Sequence, residues 1–128
     1  VKDCSADSVL SPFSLTLLDG QHCSDVSIDG YRAEHCWRMA LSVKSWEYAV
    51  IDNVDISNSS FSFVGIPEPG LEKKILSMPK NQWPYFPSYG AYFRNVGTVT
   101  LKNVSFTVEG PDDRPDVLTE NVSRFLRK

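Results

Sequence analysis

The sequence predicts an all-β fold, a right-handed parallel β-helix (a solenoid) of about three and a half turns. Two observations predict it: a short alternating motif recurs with a turn-forming residue inside it, and the copies keep a step of roughly one solenoid turn. The motif reads Val26-Ser27-Ile28-Asp29-Gly30-Tyr31-Arg32-Ala33, then Ala49-Val50-Ile51-Asp52-Asn53-Val54-Asp55-Ile56, then Val99-Thr100-Leu101-Lys102-Asn103-Val104-Ser105-Phe106. Alternation places the apolar residues on one face of a strand. Gly30, Asn53 and Asn103 take one slot in this alignment, and Gly and Asn are the residues that best tolerate a left-handed backbone. Each copy is therefore expected to be two strands meeting at a sharp bend, with these three residues as the structural turn positions.

The spacing carries the rest of the expectation. Ile28 to Ile51 is 23 residues and Ile51 to Leu101 is 50, one turn plus an insertion. Asn95-Val96-Gly97-Thr98-Val99 returns 26 residues later as Asn121-Val122-Ser123-Arg124-Phe125. A further strand per turn follows from the alternation of Phe13, Leu15 and Leu17, of Trp37, Met39, Leu41 and Val43, of Tyr89, Ala91 and Phe93, and from Val117. Three strands per turn distinguish a solenoid from a sandwich, which would not hold a matched bend at a near-constant step. Residues 1–128 read as one β-helix segment, expected to be the C-terminal turns of a larger one, because no capping element is visible at either end.

Residues 65–88 differ in kind. Gly65-Ile66-Pro67-Glu68-Pro69-Gly70 opens this insertion, and Pro79, Pro84 and Pro87 fall near its end. Leu71 to Met78 fits two helical turns with Leu71, Ile75 and Met78 on one side. Long loops in compact repeats are usually functional, and prolines reduce the entropy lost on ordering them.

The chain has 128 residues, 41% hydrophobic and 23% charged, with a formal net charge of −3. That suffices for one core without a metal or disulfide. Lys and Arg form no basic run, so no nucleic-acid surface is expected. No apolar run reaches the roughly 20 residues of a membrane-spanning helix, and no membrane partner is expected. Cys4, Cys23 and Cys36 are odd in number and unrelated in spacing, which argues against a disulfide framework.

Candidate chemistry is sparse. His22-Cys23 and His35-Cys36 lack the Cys-x-x-Cys type of spacing, and neighbouring strand residues face opposite ways, so no metal site is expected. Instead Cys36 and Trp37 are expected one inside and one outside. No Ser-His-Asp set is present, since neither His accompanies a Gly-flanked serine. Inverting glycoside hydrolysis needs two carboxyl groups about 6.5–9.5 Å apart across one groove. Asp52 and Asp55 straddle the expected bend and Asp112 and Asp113 are adjacent, so both pairs read as solvated loop carboxylates. Asn58-Ser59-Ser60, Asn103-Val104-Ser105 and Asn121-Val122-Ser123 match the glycosylation acceptor pattern, but a repeat that wants Asn at its bends produces the same pattern. The best binding candidates are the rings of Trp83, Tyr85, Phe86 and Tyr89, which can pack on sugar C–H faces, with Arg94 or Lys80 placed to pair with a uronate carboxylate. The competing roles for these rings are to clamp the insertion to the wall or seal the end of the β-helix, or to form a subunit contact.

Three stretches resemble the C-terminal part of glycoside hydrolase family 28, the polygalacturonase-like enzymes of the pectin-lyase-like superfamily. They are Pro87-Ser88-Tyr89-Gly90-Ala91-Tyr92-Phe93-Arg94-Asn95-Val96, the strand from Val99 to Phe106, and the loop Pro111-Asp112-Asp113-Arg114-Pro115. The resemblance spans residues 24 to 128. It implies a right-handed β-helix, an acidic pectin-type polysaccharide as partner, no cofactor, and a secreted, periplasmic or cell-surface setting. The family's Asn-Thr-Asp, Asp-Asp, Gly-His-Gly and Arg-Ile-Lys motifs have no counterpart here, so no catalytic residue is carried over and no hydrolysis is expected of this chain alone. The alternative is a non-catalytic carbohydrate-binding, surface or oligomerisation β-helix module. In either case open ends of a solenoid are expected to self-associate or to continue into further turns of a parent chain.

Overall fold

A computed structural model describes residues 1–46 and 49–128. Among these described residues the chain is mostly β and forms one curled, parallel sheet of eight strands. The strands are β1 (Ser5–Asp7), β2 (Ser14–Leu17), β3 (His22–Asp29), β4 (Arg32–Cys36), β5 (Leu41–Ser45), β6 (Val50–Phe63), β7 (Ala91–Val108) and β8 (Val117–Arg127). The short helix α1 (Leu71–Leu76) and a 3-10 turn at Lys80–Gln82 lie between β6 and β7.

Three sets of parallel pairings recur in successive passes of the chain. The first joins β2, β5, the start of β7 and the start of β8, so that Leu15, Val43, Phe93 and Thr119 share a row. The second joins β3, the first half of β6, the middle of β7 and the end of β8, with Val26, Val54, Val99 and Phe125 in one row. The third joins β1, β4, the end of β6 and the end of β7, with Ala6, Ala33, Phe61 and Phe106 in one row. Strands paired in parallel need long connections, and these pairings supply them by returning to the same row once per pass.

The core lies inside the curl. Ile28, Val54, Ile56, Val96, Val99, Leu101, Val43 and Phe93 are essentially inaccessible to water. Rows of like residues stack on one another: Phe61 lies 5.5 Å from Tyr31 and 5.3 Å from Phe106 between ring centroids, the latter pair stacked. Burying each such side chain contributes about 1.5–3 kcal/mol.

The bends differ from the expected slots. Gly30 (φ +74°) and Asn103 (φ +55°) are left-handed, whereas Asn53 lies inside β6, paired with Asp25 and Thr98. The left-handed residue of that pass is Asn58 (φ +50°). The true step between β3 and β6 is therefore 28 residues (Ile28 to Ile56) rather than 23. Both Asn53 and Asn58 sit in alternating context, and only pairing across passes decides between them. Asn58 and Asn103 also bond to each other, Asn103 Nδ2 donating to Asn58 Oδ1 at 3.0 Å. A second bend repeats the device: Asn95 (φ +54°) and Asn121 (φ +51°) stack, with Asn121 Nδ2 donating to Asn95 Oδ1 at 2.8 Å. All three asparagines of the acceptor-like triplets thus occupy left-handed bends. The 26-residue echo of Asn95–Val99 in Asn121–Phe125 pairs in register, Val96 with Val122 and Val99 with Phe125.

Candidate functional site

The insertion is anchored at its base by a buried ion pair. Arg114 Nη2 donates to Asp112 Oδ2 at 2.6 Å, and the two side chains are 3% and 0% exposed. Asp112 also accepts from the backbone N–H of Ile66 at 3.0 Å, and Arg114 Nη1 donates to the Phe86 carbonyl at 3.0 Å. Asp112 is thus no solvated loop carboxylate. It ties the two ends of the insertion to the loop after β7. Burial raises its pKa, but bonds from the Arg114 side chain and backbone and from Ile66 outweigh that, and the net shift is downward. Its neighbour Asp113 is exposed and accepts from the Gly70 N–H at 3.1 Å. Gly65, where the insertion leaves β6, has φ +90°, and a Cβ there would meet Val108 Cγ2 at 2.7 Å.

Over the outer wall a second, smaller apolar cluster forms from Ala40, Phe86 and Tyr92, with Met39, Trp83 and Leu118 against it. Phe86 stacks on Tyr92 at 5.0 Å, and Trp83 meets Tyr92 edge-on at 5.7 Å. Trp83 Nε1 donates to the Met78 carbonyl at 3.2 Å. In α1, Leu71 and Ile75 are buried, while Met78 beyond it is half-buried. Tyr92 Oη is buried without a hydrogen-bond partner among the described residues, and burial, then the nearby Glu120 carboxylate, pushes its pKa up.

The residues singled out from sequence therefore separate. Phe86 is 5% exposed and acts as a clamp. Tyr89 packs against the main core, edge-on to Phe63 at 6.2 Å. Trp83 is half-buried on Tyr92, and Tyr85 is half-buried beneath the Arg38 guanidinium at 5.9 Å. Of the candidates, the two cations Arg94 and Lys80 line an open cleft of about 400 Å³, together with Thr16, Lys44, Trp46 and Asn81.

That cleft is built by register. Thr16, Lys44, Arg94 and Glu120 occupy one outward row across β2, β5, β7 and β8. Lys44 and Arg94 stand directly opposite, an arrangement of like charges that is unfavourable in a sheet. Neither has an acidic partner among the described residues, because Glu120 is taken by Lys80 at 2.8 Å. Lys44 Nζ lies 5.1 Å from the Phe86 ring, and burial, with Arg94 adding to it, lowers its pKa. Trp46, 56% exposed, borders the same cleft. Lys44 and Trp46 were not among the sequence candidates, although aligning Leu41–Lys44 with Ala91–Arg94 sets Lys44 opposite Arg94.

The remaining titratable groups are dispersed. Asp52 accepts a contact from His22 Nε2 at 2.7 Å, while Asp55 accepts from Asn53 Nδ2 at 2.8 Å, and all lie at the surface or near it. His35 sits in a left-handed bend between Asp7, 3.0 Å from Nδ1, and Glu109, 3.3 Å from Nε2. The bond to Asp7 and the charge of Glu109 raise its pKa. Asp7, Glu34 and His35 each bring a ligand atom within 4.8 Å of the others, the one such group among the described residues, but it is open to solvent and His35 is already engaged on both nitrogens. The three cysteines are free; Cys36 is buried, which pushes its thiol pKa to about 11, and Trp37 beside it is 54% exposed. No helix among the described residues is long and apolar enough to cross a membrane.

Comparisons with protein-family models, curated proteins and solved structures find no match to this chain.

Proposed function

We propose that the chain is a non-catalytic segment of a right-handed parallel β-helix that contacts an acidic polysaccharide, of the kind that forms the C-terminal scaffold of polygalacturonase-like glycoside hydrolases. The threefold recurrence of pairings per pass supports the β-helix reading. The unpaired Lys44–Arg94 step supports the substrate class. Two cations held face to face are unfavourable alone and become favourable once a carboxylate lies between them; among the described residues the one acid in their row, Glu120, is bonded to Lys80. An exposed indole at the cleft's border offers a ring face to a sugar. Neutral sugars gain only the second contact, so a uronate polymer is the ligand class that uses both. Among the described residues no pair of carboxylates lines this cleft, and no hydrolytic step is assigned to it.

Calorimetric titration with oligogalacturonate tests this reading. Binding that weakens about tenfold in Lys44→Ala and in Arg94→Ala is expected, since a hydrogen bond to a charged group contributes roughly 1.5–3 kcal/mol. Equal binding of a neutral glucan, or no binding of oligogalacturonate at millimolar concentration, would sink it.

A further inference from the structure

Lys80 stands where the insertion and the cleft meet. It opens the 3-10 turn Lys80–Gln82, directly after Pro79, whose ring holds φ at −57°. Trp83 closes that turn, its backbone N–H donating to the Lys80 carbonyl at 3.4 Å. The Trp83 indole meets Tyr92 edge-on at 5.7 Å and donates to the Met78 carbonyl at 3.2 Å. The ring contacts that clamp the insertion to the wall therefore also carry Lys80 to β8, where its Nζ lies 2.8 Å from Glu120 Oε2.

Glu120 has a second cation within reach. It stands directly opposite Arg94 in the pairing of β7 with β8, and neighbouring strands are only about 4.7–4.9 Å apart. Among the described residues it nevertheless makes its ion pair with Lys80, and Arg94 makes none. The Tyr92 hydroxyl lies near Glu120 but outside bonding geometry. We propose that Lys80 is a positioning residue for the Lys44–Arg94 step: by holding Glu120 it keeps the one acid of that row off Arg94 and leaves both cations to an external carboxylate. The inference rests on the reading of this cleft as a uronate site.

From its place beside the rings, Lys80 was expected to take a ligand carboxylate itself. It takes an internal one instead, and the charge balance of the row follows. With Lys80 in place, three cations share one carboxylate, and Lys44 and Arg94 stay uncompensated. Without Lys80, Glu120 is free to bond the Arg94 guanidinium bidentately. An incoming uronate then has to displace a competitor fixed on the next strand, whose effective concentration is high. The insertion thus acts on the cleft through Glu120.

Calorimetric titration with oligogalacturonate, at about 0.15 M salt to screen long-range charge effects, reads this in two backgrounds. Lys80→Ala should weaken binding about threefold in the parent chain, the scale of an exposed ion pair. In a Glu120→Gln chain it should have no effect, because no carboxylate remains to occupy Arg94. Lys80→Arg, which can still hold Glu120, should restore binding. Equal weakening in both backgrounds would make Lys80 a direct ligand contact and overturn the proposal, as would no weakening in either.

Thermal unfolding without ligand is the second arm. A cycle of Arg94→Ala with Glu120→Gln should show no coupling in the parent chain and a coupling of about 2 °C in the Lys80→Ala chain. Absence of coupling there would show that Glu120 does not turn to Arg94, and the proposal would fall. Far-ultraviolet circular dichroism confirms that each variant keeps its sheet. The arms separate the two failures: a parent chain that does not bind oligogalacturonate removes the proposed function, while the thermal cycle still decides what Lys80 does.

Discussion

The interior of the curl and the insertion on its outer wall are stabilised in opposite ways. Inside, rows of aliphatic and aromatic residues repeat from pass to pass, and each buried side chain touches its counterparts above and below. Outside, residues 65–88 are held chiefly by a buried ion pair at the base and a cluster of rings around Tyr92, with the exposed Gly70–Asp113 and Lys80–Glu120 bonds beside them. The first arrangement distributes its stability over many similar contacts. The second concentrates it, so a single change can free the insertion while the sheet remains.

The largest expected effect tests the interior. Phe61→Ala removes a ring that is 1% exposed between Tyr31 and Phe106, and the global unfolding free energy should fall by about 3–5 kcal/mol in chemical denaturation. Next comes Asp112→Asn, which leaves Arg114 buried without its counter-charge. A loss of about 3 kcal/mol is expected, read locally as faster amide exchange at Ile66 and Gly70 with the exchange of β6 and β7 unchanged. An equal loss of global stability would instead make the insertion part of the cooperative core. The same pair sets an acid limit. Asp112 has its folded-state pKa below the ordinary 3.8, so its contribution is complete above that value and is lost as pH falls below it through the depressed one. Exchange at Ile66 should therefore accelerate in acid before the sheet opens.

Smaller effects sharpen the contrast. Asn103→Ala places a residue with no amide at φ +55° and breaks the bond to Asn58; about 1–2 kcal/mol is expected in thermal unfolding. Tyr92→Phe removes a buried hydroxyl that lies near Glu120 but has no partner within bonding geometry among the described residues, so stability should stay the same or rise by up to about 1 kcal/mol. A loss on that substitution would show that the hydroxyl is bonded after all.

What could be read from the residues follows the same division. The 26-residue echo ending at Phe125 was legible because Asn95 and Asn121 share both their bend and their flanking alternation. The step from β3 to β6 was misread because Asn53 and Asn58 are both asparagines in alternating surroundings, and local pattern cannot say which one stands beside Gly30. The short helix of the insertion was legible from the spacing of Leu71 and Ile75. Its anchor was not: Asp112 is distant in sequence from Ile66, and an Asp-Asp pair between prolines reads as solvated until Arg114 and Phe86 are seen to close over it. The cleft was half legible. Arg94 stood out beside the rings, but Lys44 becomes its neighbour only through the pairing of β5 with β7.

The insertion also bears on how the chain closes its loops during folding. Ile28 pairs with Ile56 across 28 residues, whereas Ile56 pairs with Leu101 across 45. Loop-closure entropy grows only logarithmically, so the extra length costs about 0.4 kcal/mol. A segment longer or shorter by several residues at this corner would be almost as inexpensive, provided that its two ends still meet Asp112 and Arg114. The corner is thus a place where length can vary while the pairing of β6 with β7 stays fixed.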